Sequence, residues 1–342
     1  MIHLSLIAKL VIRKHRLTRL IPCILTSTRT FRNPTLPTPV FTMKQITDTE
    51  ILSAIADIPD EASQIDTIMS MRHWFGPKED DQFYPIVQDY LTNNLDVNDV
   101  TRQLLSPIEA AIQANENEPS TYSLWYPIIH SAKRLPFRDT TGLAKLVALV
   151  KTIKSSPPPP KATEPDMYSE LLHFSICARE TINDAPGFGS GYLRQEGHAY
   201  ANMMYFYALL TRDEVYTFWI YCIWTMRPAL ETPQEDDDPE DVVTPVTAVE
   251  KYNVHVPAAA VWIFALGKQI YERKENLEPK DPNEGNSGRG GPLWEGRAEF
   301  SKERWALWKK RFGEVAEIEG LSAECKAIAK EAAVAMAEIE KA

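Results

Sequence analysis

The hexapeptide Gly187-Phe188-Gly189-Ser190-Gly191-Tyr192 comes closer than any other stretch of the sequence to a reactive motif. A dinucleotide-binding turn follows a strand and needs a third glycine where Tyr192 stands, and here a helical segment precedes it. A nucleophile elbow needs glycine where Phe188 and Tyr192 flank Ser190. The stretch therefore reads as a flexible helix-to-helix turn. Seven histidines (3, 15, 73, 130, 173, 198 and 255) show no pair at metal-ligand spacing, so neither a metal nor a cofactor is assigned. His173 and His198 border an aromatic stretch, within reach of Tyr200 or Glu170, and read as satisfied buried histidines. Cys23, Cys177, Cys222 and Cys325 lie far apart without a CxxC. That is the pattern of reduced, mostly buried intracellular thiols rather than a disulfide framework. No carboxylate pair, Ser-His-Asp order or phosphate loop stands out, so no catalytic residue is assigned.

Charge narrows the function classes further. The chain of 342 residues carries a formal charge of −10, very unevenly spread. Residues 1–42 hold seven basic residues and no acid, which leaves 30 basic against 47 acidic residues over 43–342. A body that acidic repels phosphate backbones, so nucleic acid is a poor partner. Apolar runs near Met203 and Trp219 are interrupted by Thr211-Arg212-Asp213-Glu214, too soon to span a bilayer.

The basic segment 1–42 has two readings: a mitochondrial presequence, or a stretch upstream of translation from Met43. In the first case the protein is mitochondrial, in the second cytoplasmic, and in both the segment lies outside the fold.

The elements that would position any site are helical nearly throughout. Gly is scarce at 14, against roughly 24 for an average chain of this length. Helices are expected over 47–57 and 60–73. Another starts at Asp139 or Thr140, with Leu143, Leu146, Val147 and Val150 on one stripe. Four consecutive prolines make 155–165 a linker. The aromatic segment 198–227 reads as a central helical hairpin, and 231–241, with seven acids, as a solvated mobile loop. Residues 242–256 are β-branched but broken by Pro245, and read as a loop or short helix. A buried helix is expected over 256–272, with Pro257 in its first turn. The last helix places Leu321, Cys325, Ile328, Ala332, Ala335 and Ile339 on one seam. The whole reads as an all-α domain over 43–342, built as antiparallel helix pairs with long polar loops.

Near the C-terminus, GPLWEGRAEFSKERWALWKKRF (291–312) concentrates tryptophan and basic residues. Ser301 is a ready N-cap, and Trp305, Trp308 and Phe312 share a helical face that belongs in the core. Trp294 precedes that helix in a Gly/Pro-rich loop, as a lid on Trp305 or as an interaction hot spot. Arg297 and Arg304 are close enough in sequence to stack on its ring.

Three segments in order, SLWYPIIHSAKRLPFRDTTGLAKLVALVKTIK, AAAVWIFALGKQIYE and the stretch just quoted, resemble a chiefly fungal family, domain of unknown function 3632. Leu124-Trp125, Trp262, Trp294, Arg304, Trp305, Trp308, Arg311 and Phe312 fit its hallmark positions, over about 120–315. The resemblance implies an α-helical domain and supplies no activity. Two functional readings follow. One is a non-catalytic interaction or scaffold protein that binds another protein through Trp294, Arg297 and Arg304. The other is a small-molecule binder or enzyme with a pocket in the hairpin, lined by His198, Tyr200, Tyr205 and Trp219.

Overall fold

The computed structural model describes residues 46–114, 121–240, 244–281 and 283–342; the basic segment 1–42 and the end of the acidic run lie outside them. Twelve α-helices and one two-stranded ribbon make up the described chain, which is all-α as expected. Helices α1 (Asp48–Ile55) and α2 (Glu61–Arg72) start where capping dictates. Thr47 and Glu50 form a reciprocal capping box, and Asp60 accepts the Ser63 amide. Their buried Ile51, Ile55, Ile65 and Ile68, with Trp74 and Ala199, form a small satellite core.

The main core begins with α3 (Tyr84–Thr92), α4 (Val97–Ala114), α5 (Tyr122–Arg134) and α6 (Thr140–Lys154). Asp139 caps α6, and Leu143, Leu146, Val147 and Val150 are buried together, as their spacing predicts. The prolines then end that helix, and the chain stays non-helical until α7 (Phe174–Thr181), although Met167, Tyr168 and Leu171 in this stretch are buried. A 3-10 turn (Ile182–Asp184) follows.

Helix α8 (Arg194–Arg212) is followed by the short α9 (Trp219–Met226), so 198–227 does contain two successive helices. Yet α8 packs mainly along α10 (Ala248–Glu272), not along α9. Helix α10 starts eight residues earlier than expected and absorbs most of the 242–256 stretch. Thr247 accepts the Glu250 amide and Glu250 reaches back to Thr247, which outweighs the β-branched composition. Pro257 consequently sits inside the helix rather than in its first turn, and the backbone break comes later, at Leu266 (φ −147°, ψ 32°).

After α10 the chain forms the ribbon β1 (Glu275–Asn276) and β2 (Glu299–Phe300), paired antiparallel with Glu275 opposite Phe300. Helix α11 (Lys302–Val315) starts at the Ser301 cap and buries Trp305, Trp308 and Phe312. Helix α12 (Ala323–Ile339) lays Cys325, Ile328, Ala329, Ala332 and Met336 against α10 and α11, close to the predicted seam. No described helix is long and apolar enough to cross a membrane.

Candidate functional site

The acidic run after α9 begins with a residue that is not in solvent. Met226 continues into a single π-helical turn, Arg227–Glu231, and this turn draws Glu231 inward to zero exposure. From α11, 73 positions later, Arg304 meets it at zero exposure. Arg304 Nε donates to Glu231 Oε1 at 2.7 Å and Nη2 to Oε2 at 3.0 Å. Trp308 Nε1 adds a bond to Oε1 at 2.7 Å, and the Gly291 amide one to Oε2 at 2.9 Å. Four donors on two oxygens use the full acceptor capacity of the carboxylate. The expected mobile loop is therefore anchored at its first residue. Glu231 goes with the buried Ala229-Leu230 before it rather than with the acids after it, a grouping that composition alone does not reveal.

This buried pair extends its bonds into the loop before α11. Arg304 Nη1 donates to the Gly288 and Glu299 carbonyls, both at 3.0 Å, and Nη2 to the Arg289 carbonyl at 3.4 Å. The Glu231 carbonyl accepts the Leu293 amide at 2.9 Å. Arg227 donates to the Ser287 and Arg289 carbonyls at 2.7 and 2.9 Å, and Trp224 to the Ser287 carbonyl at 3.1 Å. At Gly291 a side chain is impossible without movement, since a Cβ would lie 2.5 Å from the Glu231 carbonyl oxygen. Loops usually satisfy their backbone with water; this one is held by side chains of the core.

What the clamp holds outward is Leu293, 37% exposed, and the half-buried Trp294. The Trp294 ring lies 5.6 Å from the Arg304 guanidinium carbon, and its N–H donates to the Arg297 carbonyl at 2.8 Å. Of the three proposed binding residues, Trp294 and Arg297 are at the surface, and Arg297 is paired with Glu278. Arg304 is not available to a partner: it is a buried positioning group. Nor is Trp294 a lid on Trp305, which packs at a tilt against Tyr271, ring centroids 5.2 Å apart, and donates to Glu340.

The alternative pocket is only partly assembled. A cleft of about 300 Å³ opens between α2, the α5–α6 turn, α8 and α12, with Glu61, Phe137, Arg138, His198, Asn202, Glu324 and Glu331 among its walls. His198 sits between two carboxylates, with Nδ1 3.0 Å from Glu61 and Nε2 3.3 Å from Glu324. Burial works to lower its pKa, but the Glu61 and Glu324 carboxylates together outweigh that and raise it. Tyr205 packs edge-on against Phe137, 6.0 Å away at the wall of this cleft. Tyr200 is buried and does not line it, and Trp219 stands under the Arg273 guanidinium at 4.0 Å. Glu61, Glu324 and Glu331 left no local signal, because they arrive from helices far apart in sequence.

The GFGSGY turn is likewise anchored rather than flexible. Buried Glu196 accepts the Gly191 and Leu193 amides and the Arg72 Nε, at 3.0, 3.1 and 2.8 Å. Trp74 donates to the Gly189 carbonyl at 3.2 Å, and beside it the buried Lys133 pairs with Asp184. The Ser190 hydroxyl donates to the Gly191 carbonyl at 3.5 Å, a backbone bond that does not activate it as a nucleophile. Burial pushes the Cys177 and Cys325 thiols up to about 12, and Cys222 higher, so these are packing residues rather than nucleophiles.

A family model described as a protein of unknown function, DUF3632, matches residues 125–312, more than half of the chain. The chain belongs to the DUF3632 family. The segment matched runs from Trp125 to Phe312 and so contains the whole Glu231–Arg304–Trp308 clamp and the loop it holds. Three carboxylates of the His198 cleft, Glu61, Glu324 and Glu331, lie outside the DUF3632 segment. No curated protein and no solved structure matches the chain.

Proposed function

We propose that this DUF3632 protein is a non-catalytic helical scaffold that presents the loop around Leu293 and Trp294 to a protein partner. The observation that carries the reading is the fully buried Glu231–Arg304 pair, whose hydrogen bonds go to the backbone of that loop. A loop already fixed in one conformation loses little entropy on binding, which is how rigid loops become high-affinity contact surfaces. An exposed leucine beside a half-exposed tryptophan, rimmed by the polar Glu295 and Arg297, has the composition of such a surface. We read the folded domain as 43–342 and the protein as intracellular, mitochondrial if 1–42 is a presequence and cytoplasmic if translation starts at Met43.

The test is affinity purification of the tagged chain beside three variants. Leu293→Ser with Trp294→Ala is expected to lose a stoichiometric partner while its unfolding free energy stays within roughly 1 kcal/mol of the parent, as for a surface change. Phe188→Ala is the control, because Phe188 is 86% exposed at the tip of the other anchored turn. Loss of the partner with Phe188→Ala but not with the double variant would reject the loop as the docking surface. The pocket reading has its own test in the same samples: a small molecule that co-purifies with the chain and is lost in His198→Gln would favour the cleft.

A further inference from the structure

Segments from both ends of the described chain close on one side chain of the family segment. His198 lies on α8, within residues 125–312; Glu61 on α2 comes before that segment and Glu324 on α12 after it. Nδ1 of His198 stands 3.0 and 3.1 Å from the two Glu61 oxygens, and Nε2 stands 3.3 Å from Glu324 Oε2. A neutral imidazole has one N–H and one lone pair, so it can serve only one of these carboxylates. Both nitrogens face acceptors, and the arrangement is complete only for the imidazolium.

The cleft beside His198 takes one wall from a single face of α12: Glu324, Ala327, Ile328 and Glu331. That wall is tied at both ends. Glu331 pairs with Arg138, whose charge does not change with pH, and the Arg138 hydrogen bond holds the Glu331 carboxyl below its ordinary value. At the other end Glu324 has no ion pair among the described residues except the one with His198. Arg194, on the same helix as the ring, lies 3.6 Å from Glu61. Lys133 of α5 is turned to Asp184, and α10 meets the adjoining Gly197 with the apolar Val254.

On losing one proton the ring keeps the other on Nδ1, which faces two oxygens where Nε2 faces one. Glu61 then retains that N–H and Arg194, so α2 stays in place. Glu324 is left facing a lone pair. It sits in the first turn of α12, where the helix dipole favours a carboxylate, so it turns to water rather than taking up a proton.

The geometry points to His198 as a proton-operated latch: the imidazolium holds the first turn of α12 against α8 and closes the cleft, and the neutral ring releases Glu324 and opens the cleft at that end. Buried Ala329, Ala332 and Met336 keep the rest of α12 on the core, which confines the movement to its first turn. The carboxylates outweigh burial and raise the His198 pKa, so the change falls on the alkaline side of an ordinary histidine's. Trp294 and its loop contribute nothing to the latch, which stands apart from the docking surface.

The experiment is hydrogen exchange of the full chain between about pH 5.5 and 8.5, corrected for the intrinsic pH dependence of exchange, beside nitrogen-15 NMR of the His198 ring. The ring is expected to be doubly protonated at the acid end and to become the Nδ1–H tautomer as pH rises. Over the same range the amides of Cys325 and Lys326, both bonded to Ser322, are expected to lose protection on the order of tenfold, the weight of about one charge-assisted hydrogen bond. Protection at Met336 is expected to stay constant. Glu324→Gln is expected to keep the turn protected at every pH, because a side-chain amide can donate to the lone pair or accept from the N–H. Unchanged protection while His198 titrates, a ring that is neutral throughout, or a pH dependence that survives Glu324→Gln would overturn the latch. Trp294→Ala is expected to leave the pH dependence intact, so the latch and the docking surface fail separately.

Discussion

Glu231 and Arg304, 73 positions apart, form a two-point ion pair with no exposure on either side chain. Such a pair is weak evidence for stability in itself, since desolvating both charges offsets most of their attraction. Its consequence is geometric: it converts a long polar connection into a fixed surface.

Removing one partner leaves the other charged and buried. Arg304→Met is therefore expected to cost about 3–5 kcal/mol of unfolding free energy, measured by urea denaturation. Arg304→Lys is expected to recover only part of this, because an ammonium cannot make the two-point contact. A loss below 1 kcal/mol for Arg304→Met would mean that the pair is not formed in solution.

Gly291 is the point of closest approach between the loop and the π turn. Gly291→Ala forces a Cβ to within 2.5 Å of the Glu231 carbonyl oxygen unless the backbone shifts. The expected cost is about 1–3 kcal/mol, the range for overpacking a tight site. Because Trp294 follows three residues later, its fluorescence should shift with the stability loss.

Histidines shape the pH dependence in opposite directions. His198 has a raised pKa in the folded state, so its contribution is complete below the unfolded value of about 6.5 and is lost as pH rises through the folded one. Its partner Glu61 has a lowered pKa owing to the His198 hydrogen bond, and its contribution is complete above the ordinary glutamate value of about 4.5. The clamp between α2, α8 and α12 is therefore strongest between those limits. Buried His255, pushed down to about 4 by burial, acts the other way: its contribution is present above about 6.5 and is lost as pH falls toward 4. His198→Gln should flatten the alkaline side of the stability profile and His255→Phe the acid side, both read from denaturation midpoints between pH 4 and 9.

How much of this was legible follows from where each signal lives. Caps, stripes and the Trp305-Trp308-Phe312 face are local, set by residues three or four apart, and the structure places them as predicted. The helical start at Ala248 was hidden because β-branched composition spoke louder than a Thr-x-x-Glu box four letters long. Arg304 reads as a binding residue because it lies close in sequence to Trp294, and its guanidinium is indeed 5.6 Å from that ring; its buried partner is 73 residues away inside a run of acids, out of reach of any local pattern. The His198 cleft depends on three helices meeting, which no periodicity reports. His198 itself was singled out only for its aromatic neighbourhood, and its true partners are carboxylates.

The thiols offer an independent check on packing. Cys177, Cys222 and Cys325 are buried, and burial raises all three pKa values. At pH 8 they should react with a thiol reagent only as fast as the protein unfolds, and together rather than in steps. Rapid labelling of any of the three in native buffer, located by peptide mass spectrometry, would show that the core around it opens locally.

Hydrogen exchange at the amides of Gly291, Leu293 and Trp294 tests the central claim most directly. Each donates a bond, to the Glu231 carboxylate, the Glu231 carbonyl and the Gly291 carbonyl respectively. The clamp predicts that these amides exchange orders of magnitude more slowly than an open loop, at rates near those of α11, and that Arg304→Met releases them while α8 and α10 stay protected. Fast exchange in the unaltered chain would contradict the account, for the loop would then be mobile and Trp294 not held for a partner.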